Sequence, residues 1–372
     1  MRLGTCVALE AVVGIAVLGG AAAGAWYGLG QARDYVASLR PAEAEAASLR
    51  SGPLITPIEA ELVATTPTPT LAPTPTPGSD WKTVFPGTDE ELLAPLREGP
   101  VIATKLNRGG SSLSLRIDVD GGRAAFKPEQ TWPQSKPRRE LAAYRMDRFL
   151  HIGRVPPVIG RSFDVDELVA GFAPDVRRHG ARRIDTEGLP RRDGKLAGSM
   201  SWWIPEIDVA RIDGYDVDGD DGIVTWRRLV RVGAEIPEAK RWLAEGLSTM
   251  ALFDFVIDNI DRWTGGNVRI APGGRELFFM DNTMSFTTDR FGHRKGQLYL
   301  QRVQVFSRDL VTRLRAMTED DIRTMMEPDR GPFELLLTDP EIKATLARRD
   351  WAIAYIDRLI SRHGEAAVLA FP

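Results

Sequence analysis

Cysteine is nearly absent from this chain: among 372 residues there is one, Cys6, close to the N-terminus. A disulfide within the chain is excluded, and so is a zinc site built on several thiolates. Histidine is almost as scarce. The four, His151, His179, His293 and His363, are scattered, and none pairs at metal-ligand spacing or stands beside a Ser or Cys nucleophile motif. An excess of either charge is missing too. The 48 Lys and Arg against 51 Asp and Glu leave a formal net charge of −3, which argues against a bulk nucleic-acid binder. Against these absences stands an ordinary globular composition, 43% apolar and 27% charged. That is enough apolar material for a large core, and the length suits one large domain or two smaller ones.

The one long uncharged run is Ala11 to Gly30, about the ~20 residues that a helix needs to span a bilayer. Two readings compete. It is a secretory signal with Ala-x-Ala sites at Ala21 to Ala23 and Ala23 to Ala25, or an uncleaved anchor with Trp26 and Tyr27 at the interface. Its length favours the anchor. Cys6 precedes the run and so does not mark a lipoprotein cleavage site. After this segment (residues 1–32) comes a polar, Ala- and Glu-rich helical stretch, Arg33 to Arg50. It leads to TTPTPTLAPTPTPGSD, Thr65 to Asp80. Alternating prolines forbid a helix and favour an extended spacer. Residues 33–80 therefore read as a stalk that holds a folded region, 81–372, away from a membrane. The expected location is membrane-anchored and extracytoplasmic, or secreted if the N-terminal segment is cleaved.

The folded region begins with strands. Val101 to Leu106, Leu113 to Val119 and Arg123 to Pro128 carry strand patterns, joined by Asn107 to Ser112 and by the hairpin turn Asp120 to Gly122. The turn containing Gly109, Gly110 and Ser111 is able to lay backbone N–H groups over phosphates; a plain turn is the alternative. Lys127 ends the third strand. From there a lysine reaches nucleotide phosphates, often held by a glutamate of the next helix; a solvated edge lysine is the plainer reading. The next helix is predicted over Arg138 to Leu150, with Leu141, Met146 and Phe149 on its apolar stripe and Glu140 near its start. Arg154 to Phe163 is extended, and its adjacent prolines mark an edge strand. Arg177 to Lys195 reads as an exposed loop. Gly198 to Asp208 is strand-like, with Trp202 and Trp203 suited either to a hinge against a base or to core packing.

Asp213 to Gly222 resembles a calcium loop at first sight. With Asp216, Asp218 and Asp220 as the first ligands, the glycine falls one place late and the twelfth position is Arg227 instead of Glu. An acidic surface turn is the expectation.

The longest helical pattern is Pro237 to Asp258. It delivers Asp258, Asn259 and Asp261 to a Gly-rich turn, after which Asn267 to Asn282 forms a hairpin whose far strand ends at Asp281. Phosphoryl transfer needs such a set: one Asp to accept the proton of an attacking hydroxyl, and a carboxylate with an amide to hold a divalent metal on the phosphates. Asp261 with Asn267 lies on one side and Asp281 on the other. A polar hairpin with cap carboxylates is the competing reading. Gln297 to Met326 is expected to be helical, and a last helix is expected from Thr338 to His363, stopped by Gly364.

FKP…RRELAAYRMDRFLHIGRVPPVIGR (Phe126 to Arg161), FDFVIDNIDRW and FFMDNTMSF together resemble the secretory-pathway kinases of the Fam20 and four-jointed kind. GSMSWWIP sits where their hinge region falls. The likeness runs from about Val101 to Phe286, and its pieces are specific only in combination. It implies an α+β, atypical two-lobed protein-kinase-like fold, with a β-rich N-lobe near 81–197 and a mainly helical C-lobe near 206–372. It further implies that Lys127 contacts nucleotide phosphates, that Glu140 pairs with it or reaches the metal, that Asp261 is the catalytic base, and that Asp281 is the metal ligand. ATP with Mn²⁺ or Mg²⁺ and a protein or glycan acceptor follow. Four features depart from the family pattern, one being the absence of the disulfides of the animal secreted members. Asp-Arg-His is Asp261-Arg262-Trp263 here, Asn267 lies one residue further from Asp261 than in typical kinase loops, and Thr283 replaces the glycine after Asp-Asn. A sister branch of the HipA or phosphoinositide type, a lipid or small-molecule kinase, and a catalytically inactive pseudokinase scaffold remain alternatives.

Overall fold

The computed structural model describes residues 82–107 and 112–372. The anchor or signal segment, the stalk, and Gly109, Gly110 and Ser111 lie outside the described residues. Among the described residues no helix is long and apolar enough to cross a membrane.

Helix α1 (Asp89–Glu98) opens on a capping box, in which Thr88 and Glu91 exchange side-chain-to-backbone bonds. The T-x-x-E spacing that marks it stands in the sequence. Strands β1 (Val101–Leu106), β2 (Leu115–Val119) and β3 (Gly122–Pro128) follow. Alternation sets their faces: Leu115, Ile117 and Val119 of β2, and Ala124 and Phe126 of β3, are buried. The residues between them point to the opposite face, as the two-residue period of a strand requires. Ala125 and Lys127 are thereby turned into a cleft. Helix α2 (Pro137–Phe149) leads to β4 (Val158–Asp164). Two helices, α3 (Val165–Ala170) and α4 (Pro174–Glu187), then precede β5 (Lys195–Trp202).

The antiparallel sheet has the order β1-β2-β3-β5-β4. Strand β4 is at the edge, where the preceding prolines lead it. Strand β5 lies against β3, with Lys127 opposite Ser199. The expectation of an exposed loop over Arg177 to Lys195 fails, because α4 fills the first half of that stretch. Of its fourteen residues only Gly180 and Ile184 are buried. A helix so fully solvated carries charge on nearly every face and shows little apolar period.

Short strands β6 (Asp208–Val209), β7 (Arg211–Ile212) and β8 (Tyr215–Asp216) come next. The acidic turn then runs straight into α5 (Asp220–Leu229), with Asp220 and Asp221 in its first turn, where carboxylates favour a helix. Helix α6 (Glu238–Ile257) is buried along most of its length and ends at Asp258 in the left-handed conformation, φ 54°. The hairpin beyond it is present but short: β9 (Arg269–Ile270) pairs with β10 (Leu277–Phe278) and with β6.

The helical stretch expected over Gln297 to Met326 is three helices, α7 (Arg294–Arg302), α8 (Arg308–Ala316) and α9 (Glu319–Met326). Ser307 caps α8 and Thr318 forms a capping box on α9, and each cap restarts a chain that a continuous helix would have carried through. Helix α10 (Asp339–His363) runs as expected and stops before Gly364, φ 83°. The short α11 (Glu365–Val368) closes the chain.

Two apolar cores result. One lies beneath the five-stranded sheet, built on Leu96, Leu115, Ile117, Phe126, Phe163 and Met200. The other gathers α2, α6 and the later helices around Leu141, Met146, Leu247, Phe255 and Ile356.

Helix α2 is tied to α10 by Glu341. Its carboxylate accepts from Arg138 at 2.7 and 2.8 Å and from Arg139 at 2.8 Å, and it is nearly fully buried. Burial alone would raise its pKa. The hydrogen bonds from Arg138, from the Thr338 backbone and from Arg139 outweigh burial and lower it to about 2. With the unfolded value near ~4.3, this anchor stabilises the fold fully above that pH and is lost as pH falls toward about 2. Acid titration of the urea midpoint is therefore expected to show a drop in that window that Glu341→Gln flattens, with the variant less stable at pH 7. Parallel curves would contradict the assignment.

Candidate active site

The cleft between the sheet and the helical core has a volume of about 560 Å³. Lys127, Glu140, Asn267 and Asp281 line its polar side, and Ala125, Trp203, Ile204 and Met280 its apolar side. Asn107 and Ser112, which flank residues 108–111, also line it.

Lys127 is the meeting point. Its Nζ donates to Glu140 Oε2 at 3.1 Å and to Asp281 Oδ1 at 2.5 Å. Burial pulls the Lys127 pKa down, but the Asp281 and Glu140 carboxylates overcome it and hold the ammonium well above the ordinary lysine range. Burial also pushes Asp281 up, and Lys127 and Arg262 outweigh that, leaving its pKa below the usual carboxylate value. Lys127 and Asp281 therefore both carry full charge at neutral pH. Asp281 sits at φ 64°, a left-handed backbone that few non-glycine residues adopt and that clusters at functional sites. Its side chain keeps 44% of its surface accessible, so it is offered to whatever enters the cleft.

Asp261 lies one hydrogen bond beyond the cleft wall. Asn267 Nδ2 donates to its Oδ2 at 3.2 Å and to its carbonyl at 3.0 Å, and Thr264 Oγ1 donates to its Oδ1 at 2.9 Å. The backbone N–H of Asp261 donates to Asn259 Oδ1 at 3.1 Å. The carboxylate is thus held by two side chains of its own loop. The loop turns on Gly265 and Gly266, φ 62° and 71°. Its return is pinned by Asp218 Oδ2, which accepts from Gly266 N at 2.9 Å. Trp263 anchors it below, stacked on Tyr299 at 4.1 Å between ring centroids.

The structure brings together Lys127, Glu140 and Asp281, and joins Asn267 to Asp261. Sequence reasoning missed what connects the two groups. Asn282 is fully buried, and its backbone N–H donates to both Glu140 oxygens at 3.0 Å. Its amide donates to Phe279 O at 2.9 Å, and its Oδ1 accepts from Asn259 Nδ2 at 3.0 Å and from Arg262 Nη2 at 2.8 Å. Arg262 is fully buried as well, paired with Asp254 at 3.1 Å and donating to the Met280 carbonyl. The only trace of this relay in the sequence is the repeated Asp-Asn pair, Asp258-Asn259 and Asp281-Asn282.

The donors facing the cleft are carboxylate and amide oxygens, the hard ligands that suit Mg²⁺ or Mn²⁺. Among the described residues no group of three or more His, Cys, Asp and Glu is arranged to hold a metal by itself.

The fold is that of the Fam20-type atypical kinases. Among solved structures, the chain is similar to the Golgi casein kinase, with a TM-score of 0.57 at 14% identity over 77% of this chain and 79% of that one. It is as similar to the same kinase with Mn/ADP bound, with a TM-score of 0.57 at 15% identity over 76% and 78%. Hydra Fam20 with sugar gives 0.56 at 17% identity over 77% and 94%. In sequence, the chain is 23% identical to mouse pseudokinase FAM20A over 312 residues, covering 69% of this chain and 56% of the relative. It is 21% identical to the human extracellular serine/threonine protein kinase FAM20C over 337 residues, covering 75% and 56%. The chain therefore spans about half the length of the curated relatives it matches. No family model matches the sequence.

Replacing Asn282 by Leu would strip the buried bonds of its amide from Arg262, Asn259 and Phe279. Each buried partner left short costs roughly 1–3 kcal/mol, so a loss of at least ~2 kcal/mol in denaturant unfolding is expected. A loss below ~0.5 kcal/mol would show that the relay contributes little.

Proposed function

We propose that the chain is an ATP-dependent phosphotransferase acting on a hydroxyl of a protein or glycan, with Mn²⁺ or Mg²⁺. The observation that carries this reading is the Lys127 ammonium held between Glu140 and Asp281 inside a cleft, with Asp261 poised beyond Asn267. In this reading the ATP phosphates reach Lys127, and Glu140 keeps it aimed. Trp203, Ile204 and Met280 offer the apolar side to the base. The turn of Gly109, Gly110 and Ser111 is proposed to cover the phosphates. When bound, the divalent cation neutralises phosphate charge, and Asp281 with the amide oxygen of Asn267 would hold it.

The acceptor hydroxyl oxygen forms a bond to the γ-phosphorus. The bond from that phosphorus to the β–γ bridging oxygen breaks, and its electron pair leaves with ADP. Asp261 takes the hydroxyl proton. Thr264 and Asn267 hold that carboxylate in one orientation, which is what a general base requires. Similarity to the Golgi casein kinase with Mn/ADP bound and to hydra Fam20 with sugar supports the nucleotide and the two acceptor classes. Anchoring by residues 1–32 and an extracytoplasmic location, with the Thr65 to Asp80 stalk as spacer, complete the proposal.

The test uses the purified full-length chain, labelled ATP, Mn²⁺ or Mg²⁺, and a panel of peptides and glycans. Transfer is expected in the wild type. Asp261→Ala and Asp281→Ala are each expected to lower it by about 10²-fold or more. Wild-type activity no greater than that of both variants would sink the reading. Similarity to a pseudokinase gives a defined contrary result, a nucleotide that raises the melting temperature with no transfer to any acceptor.

A further inference from the structure

The loop that carries Asp261 contains one cation, Arg262, and it is fully committed. It is buried and bonded to Asp254, Asn282 and the Met280 carbonyl. Lys127 stands at the opposite end, already paired with two carboxylates. A phosphoryl group in transit spreads negative charge over three equatorial oxygens; Arg269 of β9 lines the cleft beside Asn267, while the Asp261 loop itself offers no uncommitted cation.

A second cation, Lys295, reaches that loop from outside it. It arrives from the first turn of α7, and its Nζ donates to the carbonyl of Trp263 at 2.5 Å, two residues from Asp261. The ammonium is half-buried and makes no direct ion pair with a carboxylate among the described residues. Asp218 and Asp261 act on it from further away, as does Arg302 with the opposite sign. An ammonium has three donors, and the Trp263 carbonyl takes one. Its position is set with some care. The His293 side chain accepts from Lys295 N at 3.3 Å, and Asp258 Oδ1 accepts from His293 N at 2.7 Å. The left-handed residue that ends α6, three residues before the base, thus fixes the start of α7.

We propose that Lys295 is a further catalytic residue, whose ammonium contacts the transferring phosphoryl group on the acceptor side. The proposal rests on the phosphotransferase reading above. Lys127 then serves the phosphates that stay with ADP, and Lys295 the group that leaves them. Bond making and breaking are as written above; Lys295 donates hydrogen bonds and transfers no proton. A cation matched to charge that develops in transit lowers the barrier more than it tightens binding.

The experiment compares the full-length wild type with Lys295→Gln and Lys295→Arg, measuring kcat, KM for ATP and acceptor, ADP affinity and melting temperature. Gln keeps a donor for the Trp263 carbonyl and removes the charge. The expected result is a fall in kcat of about 10²-fold for Gln, with both KM values and ADP affinity within about twofold. Arg is expected to recover about tenfold of the loss. An active wild type with Lys295→Gln within threefold in kcat would overturn this proposal alone. So would a defect confined to acceptor KM, or a loss that Arg fails to relieve and that follows the melting temperature, which marks a structural clamp. A wild type inactive on every acceptor would overturn the phosphotransferase reading and this proposal with it.

Discussion

The structure depends on one buried carboxylate. Glu140 is 2% exposed, and it receives the Lys127 ammonium, the backbone N–H of Asn282 and the Asn282 amide. Those three partners come from the sheet and from the segment beyond β10, and Glu140 itself from α2. A buried charge with a missing partner costs several kcal/mol, so each of these elements holds the others in register. Helix α2 is further fixed by the Arg138 and Arg139 bonds to Glu341 of α10. The cleft is therefore assembled by the same contacts that join the sheet to the helical core.

From that carboxylate a polar chain runs through the interior: Glu140 to Asn282, Asn282 to Asn259, Asn259 to the backbone of Asp261. Such a network is stable only when every member is satisfied, and satisfied it specifies a single arrangement. Asp258 and Asp281 hold left-handed backbones at its two ends, φ 54° and 64°. Asp258 is not idle there, since it accepts from His293 N and from the Thr287 hydroxyl. The buried guanidinium of Arg348 donates to the carbonyls of Val256, Thr287 and Asp289. Burial, opposed in part by Asp258 and Asp289, draws its pKa down to about 10. The segment after Asp281 is thereby fastened to α6 and α10.

Much of this was legible beforehand, where local pattern and tertiary structure agree. The three first strands, the edge strand after Pro156 and Pro157, and helices α2, α6 and α10 follow from alternation, proline and apolar period. Lys127, Glu140, Asp261 and Asp281 stood out because carboxylates and a lysine at element ends are the groups phosphoryl transfer uses. Helix α4 was not legible, since solvation leaves it no apolar stripe, and α1 was overlooked although its capping box is plain. The roles of Asn282 and Arg262 were hidden for another reason. They are buried polar groups most of whose partners lie eight to 142 residues away, and no local rule carries that information. Asn267, one residue late for a kinase loop, bonds Asp261 and still lines the cleft, because the Gly265-Gly266 turn absorbs the extra residue.

The central claim is that this cleft binds nucleotide phosphates through Lys127 and an Asp281-held cation. Calorimetric titration of the full-length chain with ADP, in Mn²⁺ and then in a chelator, tests it most directly, with Asp281→Asn beside the wild type. Binding that requires Mn²⁺ in the wild type and loses that requirement or disappears in Asp281→Asn is the predicted result. Equal ADP affinity with and without the cation, unchanged by the substitution, would contradict it.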